Sequence, residues 1–188
     1  MREIEIKLRA KNLDIIEQSF KEKGWVFSEP IFQHDVVYSS KANNEAYDKL
    51  EKEGYIAIRI RYQDNKATLT LKKQLSSEMD NLEYESVVEN PKDVHEMLLA
   101  LGWKPEVEVK KTRKKAKMGE YELCLDRVEN LGDYLEIEKL TDDNVDPVKV
   151  VAELYGILEP FGLSNKDEES MGYDTLMWQF NKKNENKK

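Results

Sequence analysis

The chain has a single cysteine, Cys124, so it cannot close a disulfide on itself. That suits a reducing compartment. With only two histidines beside that cysteine, a His/Cys zinc site is not expected. No apolar segment opens the sequence and no run is long enough to cross a bilayer. Cytoplasm is therefore the expected location, with no membrane partner. Positive charge is in the minority, and the formal net charge is −8. A nucleic-acid backbone calls for a net basic surface, so no nucleic-acid partner is expected. A local basic site for a small polyanion remains open.

What the chain does have is charge and periodicity. Charged residues make up 36% of it and the mean hydropathy is −0.75. Hydrophobic residues still reach 39% and fall in periodic runs, so 188 residues suit one domain with a sizeable core.

The first stretch sets the pattern. Glu3-Ile4-Glu5-Ile6-Lys7-Leu8-Arg9 alternates charged and apolar residues, the period of a β-strand. One such strand is ordinarily an edge with one solvated face. Here the pattern recurs: Arg59 and Arg61 alternate with Ile58 and Ile60, and Thr68, Thr70 and Lys72 with Leu69 and Leu71. Glu83 and Glu85 flank Tyr84, Asp126 follows Leu123 and Leu125, and Glu136 and Glu138 alternate with Leu135 and Ile137. If these strands share one sheet, mixed carboxylates and cations fall on one face. A sheet curled around that face makes a polar tunnel, which amphipathic helices can cover from outside. Alternation alone would equally permit an open sheet.

Helices are expected over Asn12–Lys23, from Asn90-Pro91 to Leu101, from Asp146-Pro147 to about Glu159, and over Ser170–Phe180. A short helical stretch is expected near Ala46–Lys52, within a polar loop. Gln63-Asp64-Asn65 reads as a hairpin turn. The domain is expected over residues 1–178, with 179–188 as a polar tail. The chain reads as two similar halves: an acidic alternating strand, a helix ended by Gly-Trp (Gly24-Trp25, Gly102-Trp103), then further strands. His34 reads as a surface or rim residue rather than a ligand.

Glu3-x-Glu5-x-Lys7 at the N-terminus resembles the hallmark of the CYTH superfamily, the triphosphate tunnel metalloenzymes. In family order follow Arg59-x-Arg61, Thr70-Leu71-Lys72, Glu83-x-Glu85, Lys111-x-Arg113, Asp126, Leu131-Gly132-x-Tyr134-Leu135-Glu136-x-Glu138 and Ser170-x-x-Tyr173-x-x-Leu176. The resemblance implies an α+β fold, an eight-stranded antiparallel barrel with a charged interior and flanking helices. It also implies a metal-dependent enzyme, with Mg²⁺ or Mn²⁺ as cofactor and ATP or inorganic triphosphate as substrate. The chain looks most like the class IV adenylate cyclase (CyaB-type) branch. A homodimer is left open as the assembly.

The residue types suit that chemistry. A triphosphate needs several cations at strand spacing, and Lys7, Arg9, Arg59, Arg61, Lys72, Lys111 and Arg113 supply them. Arginine offers a planar fork to phosphate oxygens, while lysine is a point charge. Glu3, Glu5, Glu136 and Glu138 are the expected metal ligands, since a hard divalent cation takes carboxylate oxygens. Glu5, Lys7 and Glu136 are the expected catalytic residues, and Glu83, Glu85 and Asp126 the expected supports. Phosphoryl transfer rests on positioning and charge stabilisation, so the lack of a nucleophilic triad is no objection.

Two enzymatic readings follow, a cyclase forming cyclic AMP and pyrophosphate and a hydrolase of inorganic, nucleoside or thiamine triphosphate. A non-catalytic polyphosphate- or nucleotide-binding module is the third. Inert salt bridging of the inward charges is disfavoured, since a buried ionic network costs desolvation and adds little stability. The basic run Lys110–Lys117 as a nucleic-acid patch is disfavoured by the overall acidity and by its lack of aromatics.

Overall fold

The computed structural model describes residues 2–40 and 54–186. The helical stretch expected near Ala46–Lys52 lies outside the described residues. In order, the elements are β1 (Arg2–Arg9), α1 (Leu13–Glu22), β2 (Ile31–Ser40), β3 (Ile56–Gln63), β4 (Lys66–Ser77), β5 (Asp80–Val88), α2 (Pro91–Ala100), β6 (Trp103–Met118), β7 (Tyr121–Val128), β8 (Gly132–Thr141), α3 (Pro147–Leu158) and α4 (Tyr173–Glu185). The eight strands close into an antiparallel barrel in the order β1-β5-β4-β3-β2-β6-β7-β8. Closure gives every strand a neighbour on both sides.

The two halves are visible in this order. Exchanging β1–β4 with β5–β8 maps the circular strand order onto itself, and the matched strands β1/β5 and β2/β6 pair directly. Gly24 and Gly102 both adopt positive φ, +93° and +86°, where each half leaves its helix for a Trp. Between β3 and β4, Asp64 and Asn65 take φ of 50° and 59°. Positive φ at both central residues is the tight hairpin geometry whose twist matches the flanking strands.

The apolar faces of the strands point outward and are covered by helices. Ile4, Ile6 and Leu8 of β1 join Leu123, Leu125, Leu135 and Ile137 under Leu13 and Phe20 of α1 and Val150, Leu154 and Leu158 of α3. Across the barrel, Leu98 of α2 packs with Tyr38, Ile58, Ile60 and Ala67. Side chains cap the helices as their sequences require: Asn12 accepts from the amides of Asp14 and Ile15, Asn90 from Asp93 and Asp146 from Val148. α4 begins at Tyr173 and runs to Glu185, so part of the expected C-terminal tail is helical.

β1 meets β5 over a short register, Arg2 to Ile4 against Leu82 to Asp80. The Arg2 guanidinium reinforces this seam. It forks onto Asp80 at 2.7 and 2.9 Å and donates to the carbonyls of Asp143 and Val145. Arg2→Ala should cost about 1.5–3 kcal/mol by leaving the Asp80 carboxylate without its cation. Urea unfolding measures this, and an unchanged midpoint would show that strand pairing alone holds the seam.

Candidate metal and polyphosphate site

Strand alternation delivers the polar faces to one place. Glu3, Glu5 and Lys7 of β1, Arg59 and Arg61 of β3, Lys72 of β4, Glu83 and Glu85 of β5, Lys111 and Arg113 of β6, and Glu136 and Glu138 of β8 all line a single cavity of about 220 Å³. Residues from distant parts of the chain thus converge as their alternation requires. The basic run on β6 is divided by the same rule: Lys111, Arg113 and Lys115 line the cavity, while Lys114 pairs outside with Glu17 at 2.8 Å. His34 lies on the outside and contacts Glu108 at 2.9 Å.

The cations are held in place by acids. Arg61 forks onto Asp35 at 2.7 Å, and Arg59 lies 3.5–3.7 Å from Asp35, Glu83 and Glu85. Lys72 bridges Glu3 and Glu83. Asp126, fully buried behind the cavity wall, takes Arg113, Lys111 and the Tyr173 hydroxyl. Lys7, 2% exposed, sits 3.3 Å from Glu136 and 4.2 Å above the Tyr173 ring, whose face favours a cation. Burial works against the Asp35 carboxylate, yet Arg61 and Arg59 outweigh it and hold its pKa below the usual range. Burial, with Arg113 beside it, pushes Lys111 down to about 8. Arg59 keeps one donor free: its buried Nε has no hydrogen-bond partner.

The carboxylates behave differently. Single oxygens of Glu3, Glu5 and Glu138 lie within 4.8 Å of one another. The register explains this, because Glu138 stands directly opposite Glu5 on one side and Glu122 on the other. Like charges directly opposite destabilise a sheet. Burial and the charge of Glu136 push Glu5 up to about 7, and burial with Glu3 and Glu5 pushes Glu138 up to about 8. Three converging hard oxygen donors, mutually repelling, suit a divalent cation that takes oxygen ligands. Glu138 also forms a second group with Glu122 and Cys124, whose thiol burial holds well above its ordinary pKa.

Two expected residues have other contacts in this structure. Glu136, expected among the metal ligands, is contacted by Arg113 and Lys7 and lies outside the group of Glu3, Glu5 and Glu138. Burial opposes its charge, while Arg113, Lys7 and Lys111 outweigh that and hold its pKa well below the ordinary range. Arg9 was expected to hold phosphate, yet it does not line the cavity. Its guanidinium, at the end of β1, is drawn out to Glu169 at 2.6 Å, and its side chain is 53% exposed.

Asp35, Lys115 and Tyr173 carry contacts in the site to which the sequence pattern assigns no role. Asp35 is hidden by Val36-Val37, which breaks the alternation. Val37 faces inward with Asp35, two residues before it on β2, and can be apolar there because α4 packs across this end of the barrel, where Tyr173, Leu176 and Met177 meet Val37, Val107, Val109 and Val128. Glu78, before β5, fastens α4 by accepting from the Gly172 amide and the Thr175 hydroxyl.

A closed barrel that gathers cations and carboxylates around one cavity defines a tunnel-type fold with a charged interior. The chain belongs to the CYTH domain family, whose profile matches residues 1–173. A Methanocaldococcus jannaschii protein that carries the name "putative adenylate cyclase" is 28% identical over 166 residues, covering 87% of this chain and 91% of the relative. The solved structure of the PH1012 protein from Pyrococcus horikoshii superposes with a TM-score of 0.78 at 28% identity, over 93% of this chain and 99% of the other. A Hippeastrum protein, described as an adenylyl cyclase candidate with a dominant triphosphatase activity, shares the fold at 21% identity and TM-score 0.61, over 91% and 90% of the two chains. Among the described residues, no helix is long and apolar enough to cross a membrane.

The raised carboxyls make stability and metal binding depend on pH. Glu5 and Glu138 keep their protons in the fold where the unfolded chain has lost them. Their contribution is full below the unfolded-chain value of 4.5 and is lost progressively as pH rises from there through about 7 and 8. Mg²⁺, if held by the deprotonated carboxylates, would oppose that loss. The rise in melting temperature on replacing EDTA with Mg²⁺ should therefore grow from about pH 5.5 to about pH 8.5. A rise of constant size across that interval would place the metal elsewhere.

Proposed function

We propose that this protein is a divalent-metal-dependent enzyme that binds a triphosphate in the barrel cavity and cleaves a phosphoanhydride bond. The observation that carries this reading is the donor set of Arg59, Arg61, Lys72, Lys111 and Arg113 on one cavity wall, with the buried Arg59 Nε unpartnered, beside the converging Glu3, Glu5 and Glu138. An unpaired buried donor on a cation is costly alone and favourable against an anionic oxygen.

In this reading Glu3, Glu5 and Glu138 hold Mg²⁺ or Mn²⁺. Once bound, that cation neutralises the carboxylates and polarises the phosphorus under attack. Arg59 and Arg61 take phosphate oxygens by their forks, and Lys72 and Lys111 add point charges. Lys7 and Arg113, held by Glu136, face charge that builds in the transition state. Glu136 then positions cations rather than the metal. The supporting acids Asp35, Glu83, Glu85 and Asp126 fix the cations before substrate arrives, so little reorganisation is needed.

The reading favoured for the product is a class IV type adenylate cyclase. The 3′-hydroxyl of ATP releases its proton to water as its oxygen bonds to the α-phosphorus, the bond from that phosphorus to the α–β bridging oxygen breaks, and pyrophosphate leaves with the bonding pair. The name of the Methanocaldococcus jannaschii relative supports it. The triphosphatase activity stated for the Hippeastrum protein keeps hydrolysis as the second reading, with water in place of the hydroxyl.

Incubation with ATP and Mg²⁺ or Mn²⁺, and separately with tripolyphosphate, separates them. Cyclic AMP and pyrophosphate are expected from ATP; orthophosphate from tripolyphosphate without any cyclic AMP from ATP would establish the second reading. Arg59→Met keeps the apolar stem and removes the free donor. It should weaken tripolyphosphate binding by about tenfold, the size of one charge-assisted hydrogen bond. Unchanged affinity in calorimetry would remove Arg59 from the phosphate site.

A further inference from the structure

The cavity is not charged throughout. Its register runs in layers across β3, β4 and β5. Arg59 lies opposite Thr70 and Thr70 opposite Glu85; one step along, Ala57 lies opposite Lys72 and Lys72 opposite Glu83. The next step is neutral: Gln74 lies opposite Asn81, and the Gln74 backbone N–H donates to the Tyr55 carbonyl. Met79 adjoins this layer through its carbonyl, which accepts from the amide of Glu5. Gln74, Asn81, Ala57 and Met79 all line the cavity, so beyond the cations it has a patch of neutral side chains, with Glu78 next to it in sequence.

Gln74 is the informative residue there. It is only 6% exposed, and its Oε1 is buried without a hydrogen-bond partner. A buried amide oxygen left unpaired is costly, so a folded protein keeps one where a partner arrives. That partner must bring an N–H or O–H. Phosphate oxygens only accept at neutral pH, and a metal in this cavity has carboxylates to take. A base amine or sugar hydroxyl of the ligand can bring that N–H or O–H into the cavity.

We infer that Gln74 reads the nucleoside end of the substrate, its Oε1 accepting a hydrogen bond from a base amine or a sugar hydroxyl. The ligand class of the cavity is then a nucleoside triphosphate rather than bare inorganic triphosphate. This rests on the triphosphate reading and deepens it. The layout agrees, because Asn81 lies opposite Glu3 on β1 as well as opposite Gln74. The neutral layer thus adjoins the carboxylate group on one side and the Lys72 layer on the other. A nucleotide with its base at Gln74 and its phosphates toward Arg59 and Arg61 would pass beside those carboxylates.

The test compares two ligands on the same protein. Gln74→Met keeps the length of the side chain and removes the acceptor; Gln74→Leu does so with a shorter chain. Affinities for a non-hydrolysable ATP analogue and for tripolyphosphate, both with Mg²⁺, are measured by calorimetry. Each variant should lose about tenfold for the ATP analogue and stay within about twofold for tripolyphosphate. Retained tripolyphosphate affinity also reports that the variant is folded. Undiminished affinity for the analogue overturns the role of Gln74 and leaves the triphosphate reading intact. Equal losses for both ligands overturn it too, since the amide would then serve the cavity as a whole. Failure of the unaltered protein to bind either ligand would overturn the triphosphate reading and this inference with it.

Discussion

Pairing of charge across neighbouring strands governs this molecule. Ions inside a barrel have little water to solvate them, so each needs a partner within reach. The strand register supplies those partners: Lys7 lies opposite Glu136, Arg61 opposite Asp35, Lys72 opposite Glu83 and Arg113 opposite Asp126. A slip of one residue in any of these pairings would turn the charges outward and the apolar residues in. Electrostatics and the hydrophobic shell therefore fix the same register. The exception is informative: Glu138 meets Glu5 and Glu122, like against like. Where the rest of the interior is balanced, that position carries excess negative charge, as a metal site requires.

The twofold plan of the barrel is broken in a useful way. The halves match strand for strand, but α3 and α4 follow the second half alone. The segment before α4 pairs with the end of β1, through the Glu169 amide and the Lys7 carbonyl, and brings Tyr173 under Lys7 and Lys111. α4 thus covers one end of the cavity and contributes the hydroxyl that completes the surroundings of Asp126.

Much of this was legible in the sequence. The alternation of β1, β3, β4, β5 and β8 told which residues would share a face, and Asn12, Asn90 and Asp146 marked where helices start. Closure into a barrel came from family resemblance, because alternation does not distinguish a closed sheet from an open one. Asp35 was obscured because Val37 faces inward against a helix more than a hundred residues later. The exit of Arg9 and the engagement of Glu136 by cations were hidden for a related reason. Each depends on a partner, Glu169 or Arg113, whose distance follows from tertiary packing. Spacing says which face a side chain takes, and only the fold says which neighbour reaches it first.

The central claim is that the inward charges form a receptor for a metal-loaded triphosphate. A crystal structure with Mn²⁺ and tripolyphosphate tests it most directly. The account places the anomalous manganese signal between Glu3, Glu5 and Glu138, with phosphate oxygens on Arg59 and Arg61. Manganese held away from those carboxylates, or tripolyphosphate bound on the outer surface of the barrel, would contradict it.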